Sequence, residues 1–84
     1  MKLSEWNEVL SYAKSAVEEL KNNKIKASYV VDKSAVEVNS YGITFKVYDI
    51  DDNVFKRYST GCESNSFALM TKIAIIKERI LREC

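Results

Sequence analysis

The sequence predicts a two-layer α+β domain in which an N-terminal and a C-terminal helix cover one face of an antiparallel sheet. Apolar residues recur at helical spacing near both ends of the chain, whereas between them they alternate with polar residues, as strands require. The segments between strands have hairpin length, which favours a meander. We therefore expect the order α-β-β-β-β-α, with four strands or alternatively three, in a single domain of residues 1–84.

The first helix is expected over residues 4–21, with Ser4 as its N-terminal cap. Its apolar residues recur at steps of three and four, which places them on one stripe. They are Trp6, Val9, Leu10, Ala13, Ala16, Val17 and Leu20.

Four segments with a period of two predict the strands. They cover residues 24–32, the short stretch Val36–Asn39, residues 43–48 and residues 54–60. In the last segment the apolar residues do not share one parity, so its buried face is ambiguous. A β-bulge would resolve this ambiguity.

The second helix is expected over residues 67–82, capped by Ser64, Asn65 or Ser66. Ile75 falls on the polar side of this helix, close to Arg79 and Arg82. The apolar stripe consists of Leu69, Met70, Ile73, Ile76, Ile80 and Leu81.

Both helices can pack on the same side of the sheet only if they cover Ile43, Phe45 and Val47. The opposite side of the sheet is then left bare. It is expected to carry Lys24, Lys26, Ser28, Val30, Glu37, Thr44, Lys46 and Tyr48, with Lys56 and Tyr58 as further options from the ambiguous strand.

Composition narrows the classes of function. The 84 residues include 13 Lys and Arg against 12 Asp and Glu, with a net charge of +1 and no His. The absence of His removes the commonest general base and metal ligand, so we expect no enzyme, no cofactor and no metal. Two cysteines are too few to staple a secreted mini-protein, and no signal peptide or membrane span is evident, which predicts a cytoplasmic protein.

The segment Asp49–Asn53 has the alternating oxygen ligands with which calcium loops begin, at Asp49, Asp51 and Asn53. The later loop positions carry Val54 and Thr60, where such loops need Gly and Glu. A plain turn is therefore favoured, and weak Ca²⁺ binding is the alternative.

Cys62 precedes the second helix, whose positive end favours a thiolate. No His is present to act as its base, so a catalytic thiol is not expected. Whether Cys62 or Cys84 is reactive is left open by the sequence.

These observations favour a small protein-binding module that acts by occupying a surface of a larger protein. A regulator or inhibitor of the kind that phages and other mobile elements encode fits the small size and the lack of a catalytic set. Self-association into a homodimer is a further expectation, since it would relieve the small core. The expected partner contacts are Tyr48, Lys46, Ile75, Arg79 and Arg82.

The alternative is weak binding of single-stranded nucleic acid by the bare sheet face. Aromatic rings would stack on bases, and lysines would meet phosphates. The residues expected to do so are Lys26, Lys46, Tyr48, Lys56 and Tyr58. The near-neutral charge balance argues against this alternative.

Overall fold

The computed structural model describes residues 1–84 and contains two helices and three strands. In chain order they are α1 (Leu3–Asn22), β1 (Ala27–Lys33), β2 (Tyr41–Tyr48), β3 (Val54–Ser59) and α2 (Ser66–Glu83). The strands form one antiparallel sheet in the order β1-β2-β3. The α+β class and the meander are thus confirmed, with three strands as the correct alternative.

The predicted strand at Val36–Asn39 is wrong, because this segment forms the loop between β1 and β2. The Ser34 hydroxyl accepts hydrogen bonds from the amides of Val36 and Glu37, at 3.2 and 3.0 Å. These bonds satisfy the local backbone in a turn and so compete with strand pairing. Val36 and Val38 are left 92% and 86% exposed, since no element covers the loop.

A single core lies between the helices and the sheet. The central strand β2 contributes Ile43, Phe45 and Val47, each no more than 1% exposed. Both helices pack on this side of the sheet and against each other, as predicted. The remaining buried apolar residues are Val9, Ala13, Ala16, Leu20, Tyr58, Leu69, Ile73, Ile76 and Ile80.

The helix starts are fixed by side chains that bind the free backbone amides of the first turn. Helix α1 begins one residue before Ser4, so the predicted Ser4 cap is wrong, and the Glu5 carboxylate instead accepts from the Lys2 amide at 2.9 Å. Helix α2 is capped by Asn65, whose side chain accepts from the Ala68 amide at 3.1 Å.

A bulge between β2 and β3 determines which side of the sheet each β3 residue faces. Phe45 pairs with Tyr58 and Val47 with Lys56, but the next residue of β2, Tyr48, pairs with Val54. Phe55 is therefore the extra residue, and from Lys56 onward β3 keeps a regular alternation. Tyr58 consequently faces the helices.

Neither helix has a stretch that is both long enough and apolar enough to cross a membrane.

Candidate partner-binding surface

The side of the sheet away from the helices forms what we call the open face. Side chains alternate between the two sides of a sheet, so the neighbours of the buried Ile43, Phe45 and Val47 point to the open face. The pairing register adds the matching residues of the outer strands. Together the open face comprises Ser28, Val30, Asp32, Thr44, Lys46, Tyr48, Arg57 and Ser59.

Two cations lie directly opposite each other on the open face. Lys46 of β2 pairs with Arg57 of β3. Thr60 donates its amide to the Ile43 carbonyl, so these two residues form a hydrogen-bonded pair. Hydrogen-bonded and non-hydrogen-bonded pairs alternate along an antiparallel ladder. Lys46 and Arg57 are therefore a non-hydrogen-bonded pair, the kind in which side chains lie closest. Neither residue forms an ion pair within the chain. Like charges placed opposite each other destabilise a sheet, so this pair is an unfavourable contact within the chain.

Other polar groups near the open face have partners within the chain. The hydroxyls of Tyr48 and Ser28 are 2.8 Å apart, which holds Tyr48 across β2 towards β1. Thr44 donates to Asp32 at 2.5 Å. Lys26, which precedes β1, lies 2.5 Å from Asp52. Lys46 and Arg57 are therefore the two cations of this surface that have no carboxylate partner, and Asp32, bonded to a neutral hydroxyl, is its one acid without an ion pair.

An apolar side chain ends the open face beside Tyr48. Val54 pairs with Tyr48 across the bulge, and Phe55, the extra residue of the bulge, is 55% exposed. Exposed aromatic residues and Arg are enriched in protein interfaces. Arg57 and Phe55 were not among the predicted contacts, and locating the bulge between Val54 and Lys56 would have been needed to find them.

Lys56 and Tyr58, which the ambiguous strand left as options for the open face, face the helices instead. Tyr58 is only 5% exposed, and its ring lies 5.3 Å from the Lys56 ammonium and 5.6 Å from the Arg79 guanidinium. All three side chains also bind the Glu83 carboxylate, at 2.5 Å for Lys56, 3.0 Å for Tyr58 and 2.7 Å for Arg79. The bulge shifts the parity of β3 and turns Lys56 and Tyr58 towards α2.

This contact group of Lys56, Tyr58, Arg79 and Glu83 is named the Glu83 cluster. Hydrogen bonds from Lys56, Arg79 and Tyr58 lower the pKa of Glu83 from 4.5 to about 2. Burial raises the pKa of Tyr58. The hydrogen bond to Glu83 raises the pKa of both Lys56 and Arg79. The cluster thus links β3 to the end of α2 through ion pairs and hydrogen bonds.

The predicted contacts on α2 lie in the other layer of the molecule. Ile75 is 59% exposed and adjoins Ser59 and Lys72, where α2 meets the free edge of β3. Arg82 is exposed beside Ile75, whereas Arg79 belongs to the Glu83 cluster. The structure therefore does not join these residues to Lys46 and Tyr48 in one flat surface.

The acidic turn after β2 is held by its own hydrogen bonds. One oxygen of Asp49 accepts from the amides of Asp51 and Asn53, at 2.9 and 3.0 Å. This is the plain turn that was favoured, and Asp52 completes it with a φ of 63°. Nowhere in the chain do three or more His, Cys, Asp or Glu side chains converge as a metal site.

The two cysteines are unpaired and exposed. Cys62 is next to Glu63, but the Glu63 carboxylate binds Lys72 of α2. The backbone of Glu63 also pairs with Tyr41. Glu63 is thus held by contacts with β2 and α2.

The fold and its surface define a small two-layer α+β domain with one uncovered sheet face. No family model, no curated protein and no solved structure matches the chain.

Proposed function

We propose that this protein is a small non-catalytic binding module that occupies an acidic surface of a larger protein, as a regulator or inhibitor does. The single observation that carries the proposal is the juxtaposition of Lys46 and Arg57 without an acidic partner. A carboxylate of the partner placed between them removes their repulsion and gains two charge-assisted hydrogen bonds. The guanidinium of Arg57 is suited to a carboxylate because its donors form a planar fork.

The neighbours of this pair support recognition of a protein surface. Tyr48 offers a ring whose hydroxyl is already hydrogen-bonded to Ser28, so little side-chain freedom is lost on binding. Phe55 offers exposed apolar area at the bulge near the start of β3. Aromatic residues and Arg supply most of the affinity in many interfaces. Lys46, Tyr48, Phe55 and Arg57 are therefore the proposed central contacts.

Ile75 and Arg82 are proposed as outer contacts of a partner that continues around the free edge of β3. Ile75 adjoins Ser59, which marks the boundary between the open face and α2. Arg79 is retained as a proposed contact, but its bond to Glu83 means that its substitution also affects folding.

Single-stranded nucleic acid is the second proposed ligand class, because phosphates also suit the Lys46 and Arg57 pair. Fewer of the predicted nucleic-acid contacts are available on the open face than the sequence suggested. Tyr58 is buried, Lys56 binds Glu83, and Lys26 binds Asp52. Tyr48 and Lys46 are the predicted nucleic-acid contacts that lie on the open face without an ion pair. Binding of this kind falls steeply with salt, since phosphate contacts release counterions.

The experiment is quantitative affinity capture from the native host with three baits. They are the wild type, the K46E/R57E variant and the K14E/K21E variant, which changes the net charge by the same amount on α1, in the layer away from the open face. Lys14 and Lys21 are exposed and make no ion pair within the chain. We expect a protein that is retained by the wild type and by K14E/K21E and lost from K46E/R57E.

Two results would contradict this proposal. Equal capture by all three baits would remove the open face as the binding surface. Salt-sensitive binding of a labelled single-stranded oligonucleotide by the wild type, lost in K46E/R57E and without any captured protein, would favour the nucleic-acid alternative. Circular dichroism of each bait confirms that it is folded.

A further inference from the structure

The outer edge of β1 presents main-chain groups with no partner in the chain. Tyr48 donates its amide to the Lys26 carbonyl, and Ser34 donates to Ser40, each at 3.0 Å. These two bonds fix the alternation of the ladder, so the even-numbered residues of β1 bond to β2. The amides and carbonyls of Tyr29 and Val31, among the odd-numbered residues, therefore point away from the sheet. An edge of this kind is a template for another strand.

We propose that β1 pairs in antiparallel fashion with β1 of a second copy of this chain, with Tyr29 facing Tyr29 on the two-fold axis. The two three-stranded sheets then form one continuous six-stranded sheet. This interface uses the edge of β1 and neither Lys46 nor Arg57, so its test is distinguishable from that of the proposed acidic partner.

Charge complementarity selects the register. The alternation of the ladder allows the axis to pass through Tyr29, Val30 or Val31. With Tyr29 on the axis, Lys26 of each copy faces Asp32 of the other, which gives two opposite-charge pairs. With Val30 on the axis Asp32 faces Ser28 instead, and with Val31 it faces Val30. Opposite charges facing each other stabilise a strand pair, so the first register is favoured.

The same register also pairs two apolar residues on the side of the sheet that the helices cover. Val31 is 47% exposed although it points to the side that the helices cover. With Tyr29 on the axis, Val31 faces Ala27 of the second copy. Ala27 lies in a groove whose other apolar residues are Val17 and Ile25 and whose rim is charged, with Glu18, Lys21, Lys24 and Lys26. Pairing therefore removes part of the Val31 side chain from water by packing it against Ala27.

The other free edge of the sheet is unsuitable for the same contact. Strand β3 contains Lys56 and Arg57 and no acidic residue. Two copies paired through β3 would bring four cations together without a carboxylate on either strand. Strand β1, which carries both signs of charge, is the edge that complements itself.

Charge reversal tests the register in solution. Sedimentation equilibrium over a wide range of concentration should show a monomer that converts to a species of twice its mass. The variants are made in a D52N background, because Asp52 binds Lys26 within the same chain. Either K26D or D32K then places like charges opposite each other twice per dimer, and should raise the dissociation constant by about tenfold. Adding both K26D and D32K restores the two opposite-charge pairs and should return the dissociation constant to near the value of D52N alone.

Proline tests the use of the edge itself. V31P removes an amide that β2 does not use, so it should abolish the dimer while leaving the fold intact. V31T keeps the amide and the branched side chain and should still dimerise. A wild type that stays monomeric at every concentration, or a V31P variant that dimerises like the wild type, would overturn the proposal.

Disulfide trapping distinguishes the three registers. In a C62S/C84S background, the S28C and V30C chains should cross-link when mixed, because Ser28 faces Val30 of the other copy in the Tyr29 register. Residues in such a non-hydrogen-bonded pair have Cα atoms about 4.5 Å apart, within the reach of a disulfide. Neither chain should cross-link by itself. Efficient cross-linking of V30C alone would place Val30 on the axis and overturn the proposed register.

Discussion

The hydroxyl of Tyr58 donates a hydrogen bond to the carboxylate of Glu83 across 3.0 Å, which ties the middle of β3 to the end of α2. The ring of Tyr58 is almost fully buried in the core. A side chain with both of these roles is part of the scaffold. It cannot offer its ring to a ligand without opening the contact between the sheet and the helix.

The Glu83 cluster makes stability depend on pH in a defined range. The pKa of Glu83 is about 2 in the folded chain, compared with an ordinary value of 4.5. A lowered pKa means that the unfolded chain binds a proton first as the pH falls. The stability contributed by ionised Glu83 is therefore complete above pH 4.5 and is lost between pH 4.5 and about 2. Urea unfolding across this range should show the wild-type advantage over E83Q shrinking towards zero.

The control for this prediction is E78Q. Glu78 is an exposed acid on the same helix and forms no ion pair. Its substitution should change the unfolding free energy little at any pH in this range. If the difference in unfolding free energy between wild type and E83Q is the same at neutral pH and at pH 2, ionised Glu83 is not the source of this stability.

Arg79 and Arg82 should differ in their effect on stability, although both are exposed residues near the end of α2. Arg79 binds Glu83 at 2.7 Å and lies over the Tyr58 ring, whereas Arg82 makes no ion pair. Thermal unfolding followed by circular dichroism should show a lower midpoint for R79A and an unchanged midpoint for R82A. Equal midpoints for the two variants would show that the Arg79 contacts contribute nothing to folding.

The helices and the central strand could be predicted because their patterns are long. Each helix repeats its apolar stripe over several turns, and β2 alternates without interruption from Ile43 to Tyr48. The segment at Val36–Asn39 also alternates, but over only four residues. Two backbone amides of this segment donate to the Ser34 hydroxyl, and these hydrogen bonds favour a loop. The alternation of apolar and polar residues gives no information about such bonds.

The candidate site was predictable on β2 and not on β3. Once Ile43 is buried, alternation places Lys46 and Tyr48 on the open face. The same reasoning fails for Arg57 and Tyr58, because the bulge at Phe55 resets the parity and its position is not visible in the sequence. The bond between Arg79 and Glu83 was also missed, although residues four apart on a helix are neighbours on its surface.

The Lys46 and Arg57 pair should weaken the fold while serving recognition. Replacing Arg57 by Thr removes one of two facing cations and keeps a residue that suits a strand. We expect R57T to raise the free energy of unfolding by roughly 0.2–1 kcal/mol in urea denaturation at low salt. Binding to the captured partner should fall in the same variant.

Salt provides the internal control for R57T. Added salt screens the repulsion between the exposed cations, so the gain in stability should shrink as the ionic strength rises. The K46T/R57T double variant should gain less than the sum of the two single variants, because one substitution already removes the repulsion. A loss of stability in R57T at low salt would show that the two cations do not repel each other in the folded chain.

Gly42 should be intolerant of a side chain because the backbone of Gly61 lies against it. A Cβ at Gly42 would be 2.5 Å from the carbonyl oxygen of Gly61 and 3.0 Å from its carbonyl carbon. The oxygen cannot easily move, since it accepts from Thr60 Oγ1, which in turn accepts from the Ile43 amide. We expect G42A to lower the free energy of unfolding by about 1–3 kcal/mol, as overpacking does.

The control for this prediction is G61N. Gly61 has a φ of +72° but open space around it, so G61N should destabilise the chain much less, since Asn tolerates this conformation. Urea denaturation of both variants checks the prediction, and a G42A variant as stable as G61N would contradict the close approach.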